Sequence, residues 1–447
     1  MESPYALAIA PRDRLHRSAV SWRGSVSRFV DDDGDDRDKT VMTPHSRYLC
    51  VQTGARRGYA VPRLLHEAGM LAAFYTDFAG PGRALRFLQH LPGFRSLSAR
   101  LARREIPAEI VHKTTAFPGS FLPAMLGDLL FRRELEFTFR RQIATSERWA
   151  RAMKRRGFGQ ATHLYSMLNE AGPLLDEAKR RGVTTVSEVY ILLSTEKILT
   201  EEQRRFPDWE SGTTDLDSLR AECLPGDLYP RNVDLCLCPS EAVLEDLVAN
   251  WGVPRERTAL VPYGMDPRWL ALETDPEPGR ILFAGTADLR KGIHYLAMAS
   301  EILRSSGFQG EFRIAGNVSD TVRNHPVCRH LTFLGRIPRD RIHEEFRRAD
   351  LFVLPSLAEG SAEVTYEALA AGVPQIVTRA AGSVARDGIE GLVVPERDAE
   401  SLAAAIERGV GNLALRDSMA RESRERAREY TWERYGERLL EVLQFYK

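Results

Sequence analysis

The sequence has few cysteines, no long apolar run and no excess of either charge. Its five cysteines are scattered over 447 residues, too few for a disulfide framework. Only Cys236 and Cys238 lie close together, without the second pair or the histidines that a zinc finger needs. No apolar run reaches the ~18 residues of a membrane-spanning helix. We therefore expect neither a disulfide-rich secreted domain nor an integral membrane protein.

The charge balance and two missing motifs exclude further classes. The 62 basic residues match the 62 acidic ones, so we expect no nucleic-acid partner. The N-terminus lacks the continuous apolar stretch of a signal peptide, which favours a cytoplasmic protein. No Gly-x-Gly-x-x-Gly and no Walker A loop occurs, which argues against a dinucleotide-dependent dehydrogenase and a P-loop nucleotidase.

The sequence does contain short apolar strands that alternate with amphipathic helical stretches, in two successive blocks. Strands such as Arg47–Gln52 and Ile281–Ala284 are of the kind found in parallel, helix-covered sheets. We therefore predict an α/β protein with two Rossmann-like domains facing a cleft. The predicted division is a disordered extension at 1–45, an acceptor-side domain at 46–265, a nucleotide-sugar-binding domain at 266–427 and a helix at 428–447 that packs back on the first domain.

A loop with two glutamates follows the predicted strand Leu351–Leu354. We expect a helix to start near Ser361, with Glu359 in the loop before it and Glu367 about two turns inside it. The free N–H groups at such a helix start bind anions, and the carboxylates can accept hydrogen bonds from hydroxyl groups. A capped surface helix with an ordinary acidic pair is the alternative.

A second loop, Gly285–Gly292, carries adjacent cations at a predicted helix start. Isolated cations there oppose the helix dipole, so Arg290 and Lys291 indicate that a polyanion shares the site. A later strand end, Phe333–Pro338, suits a planar base held against backbone.

With these motifs in this order, the sequence resembles the family 4 glycosyltransferases of the GT-B fold. The resemblance covers roughly residues 47–447. The markers are Val261–Asp266, Arg290–Gly292, Ala315–Asn317, Gly335–Ile337 and the Glu-x7-Glu motif from Glu359 to Glu367.

The resemblance implies a retaining transfer of sugar from a UDP- or GDP-linked donor to a glycan or lipid-linked acceptor, with no obligatory metal or other cofactor. It implies that Glu359 contacts the donor sugar, that Glu367 holds the ribose and that Lys291, helped by Arg290, neutralises the diphosphate. The other implied donor-binding residues are Gly285, Thr286, Asn317, Arg336, Ile337, Gly360, Ser361, Ala362, Val364 and Thr365. Two positions depart from the family pattern, because Thr286 stands where an arginine is frequent and Glu363 follows the small residues of the motif.

Candidates in the first block have weaker signals. Loop residues Gly54, Ala55, Arg56 and Arg57 follow the first strand and are predicted to face the acceptor, together with His163. An ordinary structural histidine is the alternative for His163. Asp215 and Asp217 imitate a metal-binding Asp-x-Asp, but a helix cap explains them better.

Residues 83–156 hold 16 basic and 6 acidic residues in a chain of zero net charge. In the first part of this segment, arginines interleave with Leu85, Phe87, Leu88, Leu91, Phe94, Leu97 and Leu101. This composition suits a helix lying on anionic lipid, at the inner face of the membrane, and it equally suits a solvated helix face.

Two other functions stay open. A sugar phosphorylase or nucleotide-sugar epimerase would share the fold, and a catalytically inactive scaffold would share the binding site.

Overall fold

The computed structural model describes residues 46–79, 104–121, 135–168, 170–210, 230, 232–339 and 341–446. The predicted extension at 1–45, the Asp215-x-Asp217 motif and residues 83–103 and 122–134 of the basic segment lie outside these ranges.

The first sheet contains seven parallel strands in the order β3-β2-β1-β4-β5-β6-β7. The strands are β1 Tyr48–Val51, β2 Leu71–Thr76, β3 Thr114–Ala116, β4 His163–Met167, β5 Thr184–Glu188, β6 Leu235–Cys238 and β7 Thr258–Leu260. The central strands β1, β4 and β6 are buried along their whole length, as expected for a parallel sheet covered on both faces.

The second sheet contains six parallel strands in the order β10-β9-β8-β11-β12-β13. They are β8 Arg280–Ala284, β9 Glu311–Ala315, β10 Leu331–Gly335, β11 Leu351–Leu354, β12 Gln375–Thr378 and β13 Gly391–Val394. The two sheets confirm the predicted α/β class with two Rossmann-like units.

The helices are α1 Ala60–Glu67, α2 Leu135–Arg156, α3 Leu174–Arg180, α4 Thr195–Arg205, α5 Glu241–Trp251, α6 Ile293–Ser305, α7 Asp320–Arg323, α8 Ile342–Arg348, α9 Glu363–Ala371, α10 Ala399–Gly411, α11 Leu413–Ala427 and α12 Trp432–Phe445. Their ends follow local chemistry. The Ser240 hydroxyl caps α5 by accepting from the Val243 N–H at 3.3 Å, and α9 stops at Gly372, whose φ of 72° suits a residue without Cβ. Within the described residues, no helix is both long and apolar enough to cross a bilayer.

Two segments join the two units. Helix α12 packs against the first sheet, where the Tyr48 hydroxyl donates to the Leu443 carbonyl at 3.0 Å. In the opposite direction, α4 follows β5 but packs on the second unit, where Glu202 contacts His294 and Arg397. The chain therefore crosses between the units both before and after the second sheet.

Candidate active site

The loops after β8 and β11 meet where the strand order of the second sheet reverses. Strand β8 connects onward to β9 on one side, whereas β11 connects to β12 on the other, so a crevice opens between their carboxyl ends. Ligands of open α/β sheets bind in this position. Two hydrogen bonds hold the two loops together. The Leu357 N–H donates to the Arg290 carbonyl at 2.8 Å, and the Arg290 side chain donates to the Ala358 carbonyl at 3.1 Å.

The predicted cations and the first glutamate form one cluster in this crevice. Arg290 Nη1 lies 2.7 Å from Glu359 Oε1, and the Lys291 ammonium contacts the same carboxylate oxygen. Glu359 is 7% exposed and Lys291 is 9% exposed. Burial opposes ionisation of Glu359, but the charges of Arg290 and Lys291 outweigh it and lower its pKa to about 2. The cluster therefore carries one ionised carboxylate and two cations.

The helix after this loop starts later than the sequence predicts. Helix α9 begins at Glu363 rather than near Ser361, so Glu367 lies about one turn inside it, not two. The Ser361 hydroxyl donates to the Gly382 carbonyl at 2.7 Å and lies 2.8 Å from the Tyr366 hydroxyl, so it does not cap the helix. Ala362 at the N-cap has extended backbone and no side-chain acceptor.

Glu367 lies at the edge of the crevice rather than in the buried cluster. Its side chain is 15% exposed, and the Arg339 Nη2 atom lies 3.4 Å from its Oε1 atom. Arg339 also lies 4.0 Å from the carboxylate of Glu363. The two glutamates of the motif thus have different partners, because Glu359 contacts two cations and Glu367 lies near Arg339.

The other predicted donor-side residues divide into two groups. Gly285, Thr286, Asn317, Arg336 and Ile337 follow β8, β9 and β10 at the same edge. Backbone hydrogen bonds join these strand ends, since the Ala287 N–H donates to the Asn317 carbonyl at 2.8 Å and the Gly316 N–H donates to the Gly335 carbonyl at 2.9 Å.

In the second group, from Gly360 to Thr365, the side chains mainly serve the fold. The buried Thr365 hydroxyl donates to the Ala362 carbonyl at 2.7 Å, within its own helix turn, and Val364 packs partly buried against the core. Gly360 lies against the first unit. A Cβ there would overlap the Tyr190 carbonyl oxygen, and the Ser240 hydroxyl donates to the Gly360 carbonyl at 2.5 Å.

The predicted acceptor-side residues are not all brought together. Gly54, Ala55 and Arg56 lie after β1 at the carboxyl edge of the first sheet, where Gly54 N–H donates to Asp77 at 2.9 Å. Arg57 points elsewhere: its Nη1 lies 2.8 Å from Glu188 Oε1, and its guanidinium lies 3.6 Å from the centre of the Tyr263 ring. Arg57 therefore connects the first sheet to the chain segment that enters the second unit.

His163 is in the wrong place for an acceptor-side residue. It is the first residue of β4 and pairs with Tyr48, the first residue of β1, so it lies at the edge opposite the loops. Its Nδ1 atom lies 2.8 Å from the Thr162 hydroxyl, and its ring packs against Tyr48 at 4.8 Å. These contacts are those expected of a structural histidine at the start of a strand.

Three carboxylates were not predicted from the sequence: Glu170, Glu202 and Glu210. Glu170 follows β4 at the carboxyl edge of the first sheet, and its Oε2 atom accepts from the Thr53 N–H at 3.0 Å. Glu202 and Glu210 belong to the α4 segment, and Glu210 Oε1 accepts from the Leu289 N–H of the cation loop at 2.8 Å. A position just beyond a strand end was a usable signal for Glu170, but no spacing in the sequence predicts the contact from Glu210. No group of three potential metal-ligating side chains occurs in the described part of the chain.

The fold and the switch-point crevice define a protein with two Rossmann-like units in the GT-B arrangement. Sucrose-phosphate synthase of Thermosynechococcus elongatus superimposes with a TM-score of 0.59 at 17% identity, over 89% of this chain and 98% of that one. HepE of Anabaena, crystallised with UDP, gives a TM-score of 0.55 at 15% identity, over 89% and 99% of the two chains. These similarities show the fold.

Sequence comparison finds a family match within the second unit. Residues 278–412 match the family model for glycosyl transferases group 1, and this range includes Arg290, Lys291, Glu359 and Glu367. Glycogen synthase of Mycobacterium tuberculosis is 26% identical over 260 residues, which are 56% of this chain and 62% of that protein. D-inositol 3-phosphate glycosyltransferase of Jonesia denitrificans is 28% identical over 188 residues, 39% of this chain and 44% of that protein. The chain thus spans less than two thirds of either relative.

Proposed function

We propose that this protein is a glycosyltransferase that moves a sugar from a UDP- or GDP-linked donor to an acceptor hydroxyl, with retention of configuration. The observation that carries the proposal is the buried cluster of Arg290, Lys291 and Glu359 at the switch point of the second sheet. Two adjacent cations in a ligand crevice suit a diphosphate, and a carboxylate beside them suits the sugar attached to it. The group 1 family match over the same segment supports this reading.

Each proposed role follows from charge and position. Arg290 and Lys291 stabilise the negative charge that develops on the departing diphosphate, in a site that is largely shielded from water. Glu359 orients the sugar ring and stabilises the positive charge that develops on it. Glu367 accepts hydrogen bonds from the ribose at the crevice edge, while backbone near Arg336 and Ile337 holds the base. The two cations allow the reaction to proceed without an obligatory metal.

We also propose that a lipid-linked acceptor is reached through peripheral contact with an anionic membrane, at its cytoplasmic face. In the described part of the basic segment, α2 presents Arg148, Arg151 and Arg155 to one cavity of about 370 Å³. The cavity wall also contains Phe117, Gly119, Ser120 and Ala152. Arginines beside the aromatic side chain of Phe117 suit the headgroups and upper acyl region of an anionic bilayer.

The test is a donor screen on the purified full chain. UDP- and GDP-linked sugars are added one at a time, and thermal unfolding reports binding, because a ligand of the folded state raises the unfolding temperature. Sugars that bind are then incubated with and without candidate glycan acceptors. Nuclear magnetic resonance of the product reports the anomeric configuration.

The expected result is a stabilising nucleotide sugar, transfer to an acceptor and a product with the donor's anomeric configuration. Glu359→Gln should abolish most transfer, whereas Glu344→Gln, at an exposed position of α8, should not change it. Release of sugar phosphate or epimerised nucleotide sugar would instead identify a phosphorylase or an epimerase. Donor binding without any turnover would identify an inactive binding protein.

A further inference from the structure

The α4 arm, residues 194–210, is fixed to both units. At its start, the Ser194 hydroxyl donates to the Asp246 carboxylate of α5, in the first unit, at 2.5 Å. The Ser194 N–H donates to the same carboxylate at 3.1 Å. Farther along the arm, Glu202 Oε1 lies 3.0 Å from His294 Nε2, in the second unit. The arm therefore starts on the first unit and ends against the second.

The end of the arm packs on the second unit beside the cation loop, Gly285–Gly292. Trp209 is 2% exposed, and its ring stacks on the His325 ring with 4.1 Å between their centres. The same indole ring meets His294, the second residue of α6, edge-on at 5.5 Å. These contacts bring the next residue, Glu210, against the cation loop.

Glu210 completes the hydrogen bonds of the turn that carries both cations. Within the turn, the Lys291 N–H donates to Asp288 Oδ1 at 2.9 Å, and the Gly292 N–H donates to the Leu289 carbonyl at 3.0 Å. The Leu289 N–H bonds outside the turn, where Glu210 Oε1 accepts from it at 2.8 Å. Leu289 is fully buried, so its N–H would cost free energy without this partner. Loss of the Glu210 acceptor should therefore shift the turn.

The position of this turn sets the positions of the two cations. Arg290 directly follows Leu289, and its Nη1 atom lies 2.7 Å from Glu359 Oε1. The Lys291 side chain lies across Gly285, where an added Cβ would be 2.8 Å from Lys291 Cδ. A shift of the turn at Leu289 would therefore move both cations relative to Glu359 and to the crevice.

Glu210 also adds a negative charge near Arg290, which gives it an alternative role. Glu359, Asp288 and Glu210 all attract Arg290 electrostatically. Burial, with help from Asp288, raises the pKa of Glu210, and the hydrogen bond from the Leu289 N–H partly opposes the rise. The two roles predict opposite effects, because a diphosphate is itself negative. A charge effect alone would weaken diphosphate binding, whereas positioning of the cations would strengthen it.

We propose that Glu210 is a positioning residue of the donor site, which fixes the cation loop by accepting the Leu289 N–H. The inference rests on the proposed glycosyl transfer and adds to it an element that begins on the first unit. In this role Glu210 acts through Arg290 and Lys291 rather than by contact with the donor. A loop that is already held in place loses less conformational freedom when the diphosphate binds.

The experiment separates hydrogen-bond reach from charge with three substitutions in the full chain. Glu210→Gln keeps an oxygen within reach of the Leu289 N–H but loses the charge. Glu210→Asp keeps the charge on a side chain that is one methylene shorter, and Glu210→Ala removes both. Asp208→Ala is the matched control, because Asp208 lies on the same arm, is exposed and contacts His325 instead of the loop.

Isothermal titration calorimetry with UDP and with GDP measures binding, and thermal unfolding reports folding. Hydrolysis of the nucleotide sugar that passes the donor screen gives kcat and KM. Glu210→Asp and Glu210→Ala should raise the Kd of the bound diphosphate and lower kcat, each about tenfold, because Arg290 and Lys291 act both before and during the reaction. Glu210→Gln should bind at least as tightly as wild type, and Asp208→Ala should stay within about twofold of it.

If Glu210→Asp and Glu210→Ala fold and bind the diphosphate like wild type, Glu210 does not position the loop, and glycosyl transfer stands. Weaker binding in Glu210→Gln, or an equal loss in Asp208→Ala, would also overturn the role, because charge or general loosening of the arm would then explain the effect. Should Glu210→Ala not fold, the comparison of Glu210→Asp with Glu210→Gln decides. A wild-type chain that binds neither UDP nor GDP and consumes no nucleotide sugar would instead overturn the proposed function itself.

Discussion

Arg290 and Glu359 form a largely buried ion pair, with 2.7 Å between Nη1 and Oε1, across the crevice between β8 and β11. Asp288 and Glu210 also attract Arg290 electrostatically, and Lys291 contacts the same Glu359 carboxylate, so two adjacent cations share this counter-charge. Two neighbouring buried cations would repel each other strongly without it. Glu359 therefore holds the Arg290 and Lys291 side chains close together at the position that we propose for the diphosphate.

Replacing Lys291 by alanine should weaken binding of the free nucleoside diphosphate as well as turnover. A charge-assisted hydrogen bond contributes roughly 1.5–3 kcal/mol, so we expect the dissociation constant to rise about ten- to a hundredfold. Lys197→Ala, at an exposed position of α4, is the control. Isothermal titration calorimetry measures both variants. Unchanged nucleotide affinity with reduced turnover would show that Lys291 does not bind the phosphate before the reaction.

The two glutamates of the motif should respond differently to loss of charge. Glu367→Gln keeps an acceptor oxygen but loses the charge that we propose contacts the ribose, so donor affinity should fall about ten- to a hundredfold, mainly as a rise in KM. Glu359→Gln removes the counter-charge of Arg290 and Lys291. It should therefore bind the free diphosphate at least as tightly as wild type while kcat falls strongly.

Steady-state kinetics and calorimetry on both variants test this difference, with circular dichroism to confirm folding. The opposite pattern, in which Glu359→Gln loses nucleotide binding and Glu367→Gln keeps it, would mean that the two roles are reversed. If neither variant changes affinity or rate, the loop after β11 is not the donor site.

The sequence predicted several strands of both units, among them β1, β8 and β11, and the loops at their carboxyl ends, because short buried strands leave a strong local pattern. It did not predict the start of α9, since the Ser361 hydroxyl is used by the Gly382 carbonyl, 21 residues away in sequence. The interaction of Glu170 with Thr53 joins residues 117 positions apart. Contacts of this kind depend on strand order, and strand order has no local signal.

The cavity lined by Arg148, Arg151 and Arg155 of α2 should bind anionic lipid in a salt-dependent way. The purified chain should co-sediment with phosphatidylserine-containing liposomes at low salt and dissociate as salt screens the attraction. Arg151→Glu with Arg155→Glu should abolish sedimentation, because both side chains face the cavity. Arg434→Glu, at an exposed position of α12, is the control. Equal binding to neutral liposomes, or none to either kind, would contradict membrane contact.

Glu202 connects the two units through a fully buried carboxylate. It belongs to α4, yet its Oε1 atom lies 3.0 Å from His294 Nε2 and accepts from the Tyr295 hydroxyl at 2.5 Å. Its Oε2 atom accepts from Arg397 Nε at 2.7 Å. Burial opposes ionisation, but these partners lower the pKa of Glu202 to about 2. The ion pair with Arg397 therefore belongs to the contact between α4 and the second unit.

Glu202→Gln should destabilise this contact, because it leaves Arg397 without its buried counter-charge. Removing one partner of a fully buried ion pair typically costs about 3–5 kcal/mol, but Arg397 is 32% exposed and Glu201 lies 3.5 Å from it, so we expect a smaller cost of about 1–3 kcal/mol. Glu201→Gln, half-exposed on the same helix, should cost less than about 1 kcal/mol.

Because the folded-state pKa of Glu202 lies below the ordinary value of 4.5, its stabilisation is present above about pH 4.5 and is lost as pH falls toward 2. Denaturant unfolding at neutral and acidic pH should therefore show a difference between wild type and Glu202→Gln that shrinks with acidity. A difference that is small at neutral pH, or that grows on acidification, would show that the charge of Glu202 does not stabilise the contact between the units.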